Sequence, residues 1–502
     1  MAMSDSGSVR GVHAIAMDDP DRVALVHGDQ RICFGELDQW ANAIAITLSE
    51  LGVAPGDKVA TMMGNCPDLF AAQIAIARCG TLCVPMPWGL TEPEALYMLE
   101  DSQAKVLIHG GFQAGVTAAA ALGIEALAQG EDRLMGGASE PPRVDYIESP
   151  VVTMGYTSGT TGRPKGIERK PPAPSQVAPP APFAAFWGFQ AGDVHLLCGP
   201  AYHTAPGAYA HMTLVEGGSV VIMERFQAAK ALELIARERV TTTHMVPANF
   251  VRILQEDFKS FDLTSIKKVL HAAAPCPVPV KRAILEVFPP GSVWEYYGAS
   301  EGMVSVISPE EWLAHPGSVG RPFPGVEVTV LDDAGNPLPP GEIGTIYVSP
   351  FPGAEFSYHR DPEKTSRAYK GRFFTVGDMG YLDEEGYLYL ADRREDLIIT
   401  GGVNVYPAEV EQAIIEDPEV VDVAVIGLPD EVLGQVVHAI VELVPGVEQN
   451  ESELLARLEG RLARFKLPRS IEFVSELPRE PNGKVKKSRL RAERLQLRGG
   501  QQ

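Results

Sequence analysis

The sequence predicts an α/β protein with a large layered N-terminal domain and a small α+β C-terminal domain, and three observations carry that expectation. The chain has 502 residues, far more than one hydrophobic core serves, so two or more domains are expected. Its first part alternates helix-period and strand-like apolar runs, the pattern of α/β layers. From about Gly317 the texture becomes strand-rich, and a charged run at Asp392 to Gly402 opens a final unit of about a hundred residues.

The elements follow in order. Between about Asp19 and Gly110, "DLFAAQIAIARC" has helical spacing, while "TLCVPM" and "KVLIHG" are short β-like runs. A Pro-rich break at Pro171 to Pro182 interrupts the alternation, which resumes with "SVVIM", "TTTHMVP" and "KKVLHAA" separated by helical stretches. Beyond Gly317, "VEVTVLDDAGNPLPPGEIGTIYVSP" and "GYLDEEGYLYLADR" each set a Gly-containing turn between alternating runs, as hairpins do. The segment that begins "NVYPAEVEQAIIEDPEVVDVAVIGLPDE" mixes helical and strand patterns. No internal repeat and no heptad array is present.

Composition removes several function classes. A formal net charge of -22 disfavours a broad nucleic-acid or anionic-membrane surface, since both require clustered Lys and Arg. Anionic ligands must therefore be met by local charge. Six cysteines (Cys33, Cys66, Cys79, Cys83, Cys198, Cys276) include no C-x-x-C pair, and several lie in apolar surroundings, which reads as reduced, buried thiols. The start "MAMSDSGSVRG" lacks an apolar core segment, so no secretory signal is expected. The best apolar run, "AAQIAIARCGTLCVPM", carries Arg78 and Gly80, so no bilayer span is expected either. A cytoplasmic protein without integral membrane association is the expectation.

The stretch "MGYTSGTTGRPKGI", Met154 to Ile167, joins Gly, hydroxyl residues, Arg and Lys after an apolar run. Small residues allow close backbone approach, hydroxyls and N–H groups donate, and Lys165 adds a point charge, all of which suit phosphate oxygens. It is not a Walker A loop, which needs Ser or Thr after its Lys and then a helix, whereas Gly166 and later a Pro-rich stretch follow here. Taken alone, such a loop is more often a surface turn than a phosphate site.

Further motifs line up in one order: "HAAAPCP" from His271, "EYYGASEG" from Glu295, "GSVGRPFPG" from Gly317, "FFTVGDMGYLDEEG" from Phe373, "DRREDLIITGGVNVYPAEVE" from Asp392 and "LPREPNGKV" from Leu477. With them the chain resembles the acyl-adenylate-forming enzymes, the superfamily of acyl- and aryl-CoA synthetases, peptide-synthetase adenylation domains and firefly luciferase. The resemblance covers roughly Asp19 to Lys487 and points to the acyl-CoA synthetase branch. It implies an AMP-binding domain over residues 1–394 and a mobile C-terminal domain over residues 395–502.

The resemblance also assigns roles. Thr157, Ser158, Gly159, Thr160, Thr161, Gly162 and Lys165 would wrap the β- and γ-phosphates of ATP. Ala273, Ala274 and Pro275 would let the purine lie against backbone, beside Glu295, Tyr296 and Tyr297, with Tyr297 stacking on adenine. Ser300, where relatives usually carry Thr, would contact the α-phosphate, and Glu301 would hold Mg2+, a hard cation that prefers oxygen ligands. Asp378 and Arg393 would grip the ribose hydroxyls, since a carboxylate accepts two hydroxyl hydrogen bonds and Arg donates in a fixed fork. Lys484 would place its ammonium between carboxylate and α-phosphate as negative charge concentrates there. Lys486, Lys487, Arg489 and Arg491 follow it, and such a run is ordinarily a solvated face. Gly401 and Gly402 would line a channel for coenzyme A, with Glu395 at the hinge. His203, Gly298 and Met303 would belong to the acid pocket; in isolation a packed core histidine is about as good a reading of His203.

The implied reaction is acid plus ATP to acyl-AMP and pyrophosphate, then acyl-AMP plus coenzyme A to acyl-CoA and AMP. The acid is expected to be bulky and hydrophobic, a steroid, terpenoid or fatty acid, because "GIERKPPAP" departs from the common pattern after the phosphate loop in the way ligases of such acids do. Two alternatives stand beside it: an enzyme that loads a separate carrier protein, and a non-catalytic nucleotide-binding protein. A small acid, ATP and coenzyme A are the expected partners, with a homodimer left open.

Overall fold

The computed structural model describes residues 10–135, 140–141, 146–147, 150–157, 164–169, 182–351, 354–480 and 483–499. It divides into two compact units, the first made of Met1–His244, Lys259–Val269 and Ala354–Thr365, the second of Met245–Phe258, Leu270–Gly353 and Ser366–Gln502.

In the first unit the strands Thr242–Met245, Val194–Leu197, Ser219–Ile222 and Val23–His27 run parallel, in that order, with Gln30–Cys33 antiparallel at the edge. A second sheet is wholly parallel, ordered Leu82–Pro85, Lys58–Met62, Val106–His109 and Glu125–Ala128. Strands of parallel sheets are covered on both faces, which is why "TLCVPM" and "KVLIHG" read as continuous apolar runs rather than alternating ones. Helices Glu92–Ser102 and Gln113–Leu122 pack Ala95, Leu99, Ala118 and Ala119 against Ala60, Val84 and Leu107 of that sheet. Helix Pro67–Arg78 packs with helix Phe34–Glu50 in the other large core cluster of this unit. Arg78, which breaks the apolar run of that helix, is itself buried and pairs with Asp38 at 2.6 Å.

The second unit opens with helices Pro247–Leu254 and Val278–Val287 and the hairpin Val293–Ala299/Gly302–Ile307. Both hairpins expected beyond Gly317 are present: Val328–Leu331 pairs antiparallel with Gly344–Val348, and Asp378–Leu382 with Leu388–Arg393. The C-terminal part is built on a long antiparallel pair, Val420–Asp430 with Gly434–Leu443, flanked by Ile398–Thr400 and by the parallel strand Ser470–Val474. One face packs Val425, Val437, Ala439 and Val441 on helices Pro407–Ile415 and Glu451–Leu458. Its other face packs Ala424, Ile426 and Ile440 with Leu477 and with Leu490 of helix Lys487–Gly499. The α+β character read in the tail is thus a sheet covered on both sides.

All six cysteines are free thiols. No helix among the described residues is long and apolar enough to cross a membrane.

Candidate active site

The Gly- and Thr-rich segment joins two strands of a hairpin. Gly155–Thr157 pairs antiparallel with Lys165–Glu168, with Thr157 opposite Lys165, and Ser357–Tyr358 extends the sheet. Ser158, Gly159, Thr160, Thr161 and Gly162 lie outside the described residues. The base of the segment is braced by Tyr97, whose hydroxyl donates to the Pro164 carbonyl at 3.0 Å. Lys165 Nζ sits 3.1 Å from Asp361 Oδ2. Asp361 also accepts from the Lys364 N–H at the start of helix Pro362–Ala368, and these contacts hold its carboxyl below the usual aspartate range. A cation paired with a half-buried carboxylate can be drawn off by a more highly charged anion such as a polyphosphate.

Ser300 and Glu301 form the two-residue tip of the hairpin Val293–Ala299/Gly302–Ile307, where Ala299 stands opposite Gly302. The register shifts between Tyr297 and Gly298, so that Gly298 faces Met303. A Cβ at Gly298 would come within 2.9 Å of the Gly302 carbonyl oxygen and 3.2 Å of Met303 Cα, so the close approach of the opposite strand requires glycine there. Glu301 is 6% exposed. A single carboxylate of this kind fits Mg2+, which takes one or two protein carboxylates and completes its shell with phosphate oxygens and water.

Directly below that tip, Tyr297 donates its hydroxyl to Asp378 Oδ2 at 2.5 Å, and Arg393 Nε lies 3.3 Å from Asp378 Oδ1. Asp378 and Arg393 are cross-strand partners, which explains why residues fifteen apart meet. Burial and the Asp378 carboxylate push the Tyr297 phenol well above its usual range, so it remains a donor.

Lys484 joins this group from a small hairpin. Arg479 bridges Val485, the Glu480 N–H donates to the Lys484 carbonyl at 2.8 Å, and the Gly483 N–H donates to the Glu480 carbonyl at 2.7 Å. Arg479 grips Asp422 with two N–H groups at 2.6 Å each and donates a third to the Gly483 carbonyl at 2.6 Å. The Lys484 side chain keeps solvent contact. Even so, desolvation by the protein around it, and next the Arg393 guanidinium, hold its ammonium below the usual lysine range against the pull of Asp378, Glu480 and Glu301. Its neighbours in the basic run are differently placed. Lys486 is exposed, 3.9 Å from Glu480, whereas Lys487 is drawn inward to Glu411 at 2.9 Å and Asp392 at 3.6 Å.

Glu295 and Tyr296 are buried. The Glu295 carboxylate accepts from Lys281 Nζ at 3.1 Å, and Lys281 also contacts His271, which is 3.5 Å from Glu295. Burial raises the Glu295 carboxyl, and Lys281 opposes that shift. The Glu295 side chain, named for nucleotide contact, is therefore engaged with Lys281. Ala273 adopts φ +79°, a left-handed conformation that costs a residue with a Cβ about 1–2 kcal/mol.

Gly401, Gly402, Glu395 and His203 sit in turns and at a helix N-terminus. Gly401 and Gly402, at φ +56° and +81°, form the turn between Ile398–Thr400 and Val403–Val405, the type of two-residue hairpin turn that needs positive φ at both positions. That turn is exposed, with open space around Gly402 and the Leu433 side chain nearest Gly401. Glu395 lies in the turn after strand Leu388–Arg393, 3.7 Å from Arg393. His203 stands at the N-terminus of helix Thr204–Val215, its ring 4.4 Å from that of Tyr202, which packs edge-on to Trp88 at 4.8 Å.

Asp361, Lys281, His271, Asp392, Glu411 and Lys487 were not singled out as site residues from the sequence. Lys281 carried one usable signal: in helix Val278–Val287 it shares a face with Ile284, and these two are the buried residues of that helix. Asp361 reads only as a helix cap, since nothing in "HRDPEKT" points to Lys165.

Comparison with known proteins decides the family. The AMP-binding enzyme pattern matches residues 12–350, and that of the AMP-binding enzyme C-terminal domain matches residues 409–484. The chain belongs to the AMP-binding enzyme family. Similar proteins include the long-chain-fatty-acid–CoA ligase FadD13 of Mycobacterium tuberculosis, 34% identical over 481 residues that cover 92% of this AMP-binding enzyme and 93% of the relative. The fatty acid–[acyl-carrier-protein] ligase ScoC of Streptomyces coeruleorubidus is 32% identical over 493 residues, covering 95% and 94%. Among solved structures, ATP-bound MatB from Rhodopseudomonas palustris matches with a TM-score of 0.84 and 30% identity, covering 96% of this AMP-binding enzyme and 99% of that chain. The resemblance to acyl-adenylate-forming enzymes therefore holds, and with it the mixed α/β fold with a large N-terminal and a small C-terminal domain. The class is that of AMP-forming acid–CoA ligases, with ATP and coenzyme A as co-substrates and Mg2+ as the usual metal.

Proposed function

We propose that this AMP-binding enzyme ligates a hydrophobic carboxylic acid, a fatty, steroid or terpenoid acid, to coenzyme A at a site centred on Tyr297, Asp378, Arg393, Glu301 and Lys484. The observation that carries this reading is the convergence of those five residues from three separate stretches of chain. In the first half-reaction a carboxylate oxygen attacks the α-phosphorus, the bond to the β-phosphate breaks, and pyrophosphate leaves. Lys484 lowers the repulsion between the two anions and stabilises the charge that accumulates on the α-phosphoryl oxygens. Asp378 and Arg393 hold the ribose, Tyr297 and the Ala273–Pro275 segment hold adenine, and Ser300 donates to the α-phosphate. Thr157 and Lys165 serve the β- and γ-phosphates. Mg2+, when bound, neutralises phosphate charge, and Glu301 is the residue that would hold it.

In the second half-reaction the thiol sulfur of coenzyme A attacks the acyl carbonyl, AMP leaves, and the thiol proton passes to solvent. Residues 395–502 form the mobile domain in this reading, turning at Glu395 so that Gly401 and Gly402 replace Lys484 beside the acyl-AMP. The exposed Gly401–Gly402 turn supports this, since a backbone without side chains suits a narrow pantetheine channel. His203, Gly298 and Met303 are assigned to the acid pocket. The free thiols support a cytoplasmic location, and sedimentation would decide between monomer and homodimer.

A carrier-protein thiol as acceptor is the second reading, favoured by the similarity to ScoC and by exposed Ile399, Val403 and Val432 around the same turn. Pyrophosphate release, measured over fatty, aromatic, steroid and diterpenoid acids with and without coenzyme A, tests both. A hydrophobic acid turned over to its CoA thioester supports the first reading. Acyl-AMP that coenzyme A does not discharge favours the second, and silence on every acid favours a non-catalytic nucleotide-binding protein.

A further inference from the structure

Lys487 is an ammonium drawn inside the protein, three residues after Lys484 and at the start of helix Lys487–Gly499. Its side chain is 16% exposed, and its partners are Glu411 at 2.9 Å and Asp392 at 3.6 Å. Both partners are fixed by backbone donors. Asp392 accepts from the Arg393 N–H at 2.8 Å and, at its other oxygen, from the Ala408 N–H in the first turn of helix Pro407–Ile415 at 2.9 Å. Glu411 accepts from the Val425 N–H at 2.7 Å. Asp396 completes the cluster, its carboxyl raised to about 6 chiefly by burial. Of these four side chains, only Asp392 precedes Glu395.

The strand Leu388–Arg393 therefore presents two adjacent residues with separate tasks. Consecutive strand residues point to opposite faces. Arg393 faces Asp378 and lies within electrostatic reach of Lys484, while Asp392 holds Lys487. A chain pinned at Lys487 leaves Lys484 only the short hairpin from Arg479 to Val485 in which to move. Surface lysines of a solvated run make no such contacts.

We propose that Lys487 is a positioning residue for adenylation: its ion pairs with Asp392 and Glu411 lock the Lys484 hairpin against the strand that carries Arg393. The lock rests on the acid–ligase reading above and deepens it, because the Asp392–Lys487 pair, together with the Ala408 N–H bond to Asp392, must part if the chain turns at Glu395 for thioester formation. Glu411 travels with Lys487 and keeps its charge compensated after the pair opens. Asp392 keeps the Arg393 N–H when the Ala408 N–H departs with Lys487, so separation does not strand a bare carboxylate.

The test uses the full-length Lys487→Met, Lys487→Arg and Asp392→Asn variants. Misplacing a catalytic group by about 1 Å costs on the order of 100-fold in rate, so Lys487→Met is expected to lose about that factor in acid-dependent pyrophosphate release. Conversion of supplied acyl-AMP and coenzyme A to thioester should hold within about 3-fold, a split that general destabilisation would not produce. Lys487→Arg should restore most of the adenylation rate. Asp392→Asn, which keeps an acceptor for the Ala408 N–H but loses the charge, guards against a Lys487→Met protein that does not fold and should show the same split more weakly. Amide exchange of the free protein gives a readout that needs no acid: the Glu480 and Gly483 amides should exchange about 10-fold faster in Lys487→Met or Asp392→Asn, with Val420–Asp430 unchanged. Equal losses in both half-reactions, or unchanged exchange at Glu480 and Gly483, would overturn the lock. A parent enzyme silent on every acid would instead overturn the acid–ligase reading, and amide exchange alone would then decide the lock.

Discussion

Tyr297 donates its hydroxyl to Asp378 at 2.5 Å, so the residue assigned to adenine and the residue assigned to ribose are tied to each other before any nucleotide arrives. Asp378 is held from its other side by Arg393. Removing the phenol in Tyr297→Phe costs one hydrogen bond to a carboxylate, worth about 1.5–3 kcal/mol at most and less where Arg393 compensates. The KM for ATP should rise roughly 5- to 10-fold with kcat within about 3-fold. An unchanged KM would separate Tyr297 from nucleotide binding.

Lys484→Ala should reduce acid-dependent pyrophosphate release by about 100- to 1000-fold, the scale of losing one preorganised donor at a developing anion. Thioester formation from supplied acyl-AMP should survive. The pH profile carries a sign. The ammonium is the active form and its pKa is lowered, first by desolvation and then by Arg393. Adenylation should therefore be present at neutral pH and fall as pH rises through a value below the ordinary lysine range. Arg393→Met, though weakened in ATP binding, should move that alkaline limb upward. A limb that stays put would detach it from Lys484.

Lys281→Met leaves the Glu295 carboxylate buried without its ammonium partner, and breaking such a pair costs about 3–5 kcal/mol. The urea midpoint should drop accordingly. Lys281→Met combined with Glu295→Leu should recover much of the loss, because no charge then remains buried. If the double variant is as unstable as the single one, packing rather than charge is what Lys281 contributes.

Ala273 holds φ +79° in the segment assigned to the purine. Ala273→Gly removes the left-handed penalty but adds unfolded-state entropy, so a net gain of about 0.5–1 kcal/mol is expected in chemical denaturation. A loss of stability would mean that the Ala273 methyl makes a contact worth more than the strain.

Gly402→Leu puts a branched side chain at φ +81° in an exposed turn with open space around it, at a local cost of about 1–2 kcal/mol. Adenylation should stay near the parent rate while thioester formation falls at least about 10-fold. Equal damage to both would remove Gly402 from the coenzyme A path.

The elements and the order of the motifs were legible in the sequence because both are local. A short continuous apolar run marks "KVLIHG" and helical spacing marks "DLFAAQIAIARC", without reference to any distant residue. The hairpins at Val328–Leu331 and at Asp378–Leu382 announce themselves by their turns. The family resemblance carried by the motifs likewise named Tyr297, Asp378, Arg393 and Lys484 as candidates for one site. Tertiary structure alone decided how charge is distributed around them. Lys281 meets Glu295, Lys165 meets Asp361 and Lys487 meets Asp392, pairs separated by 14 to about 200 residues. A charged residue looks the same in sequence whether it faces water or a buried partner. Which lysine of the run Lys484, Lys486 and Lys487 faces the nucleotide group, and which is locked inside, depends on the direction each side chain takes once the strand Leu388–Arg393 and the C-terminal sheet are in place, because ion pairing acts through space and not along the chain.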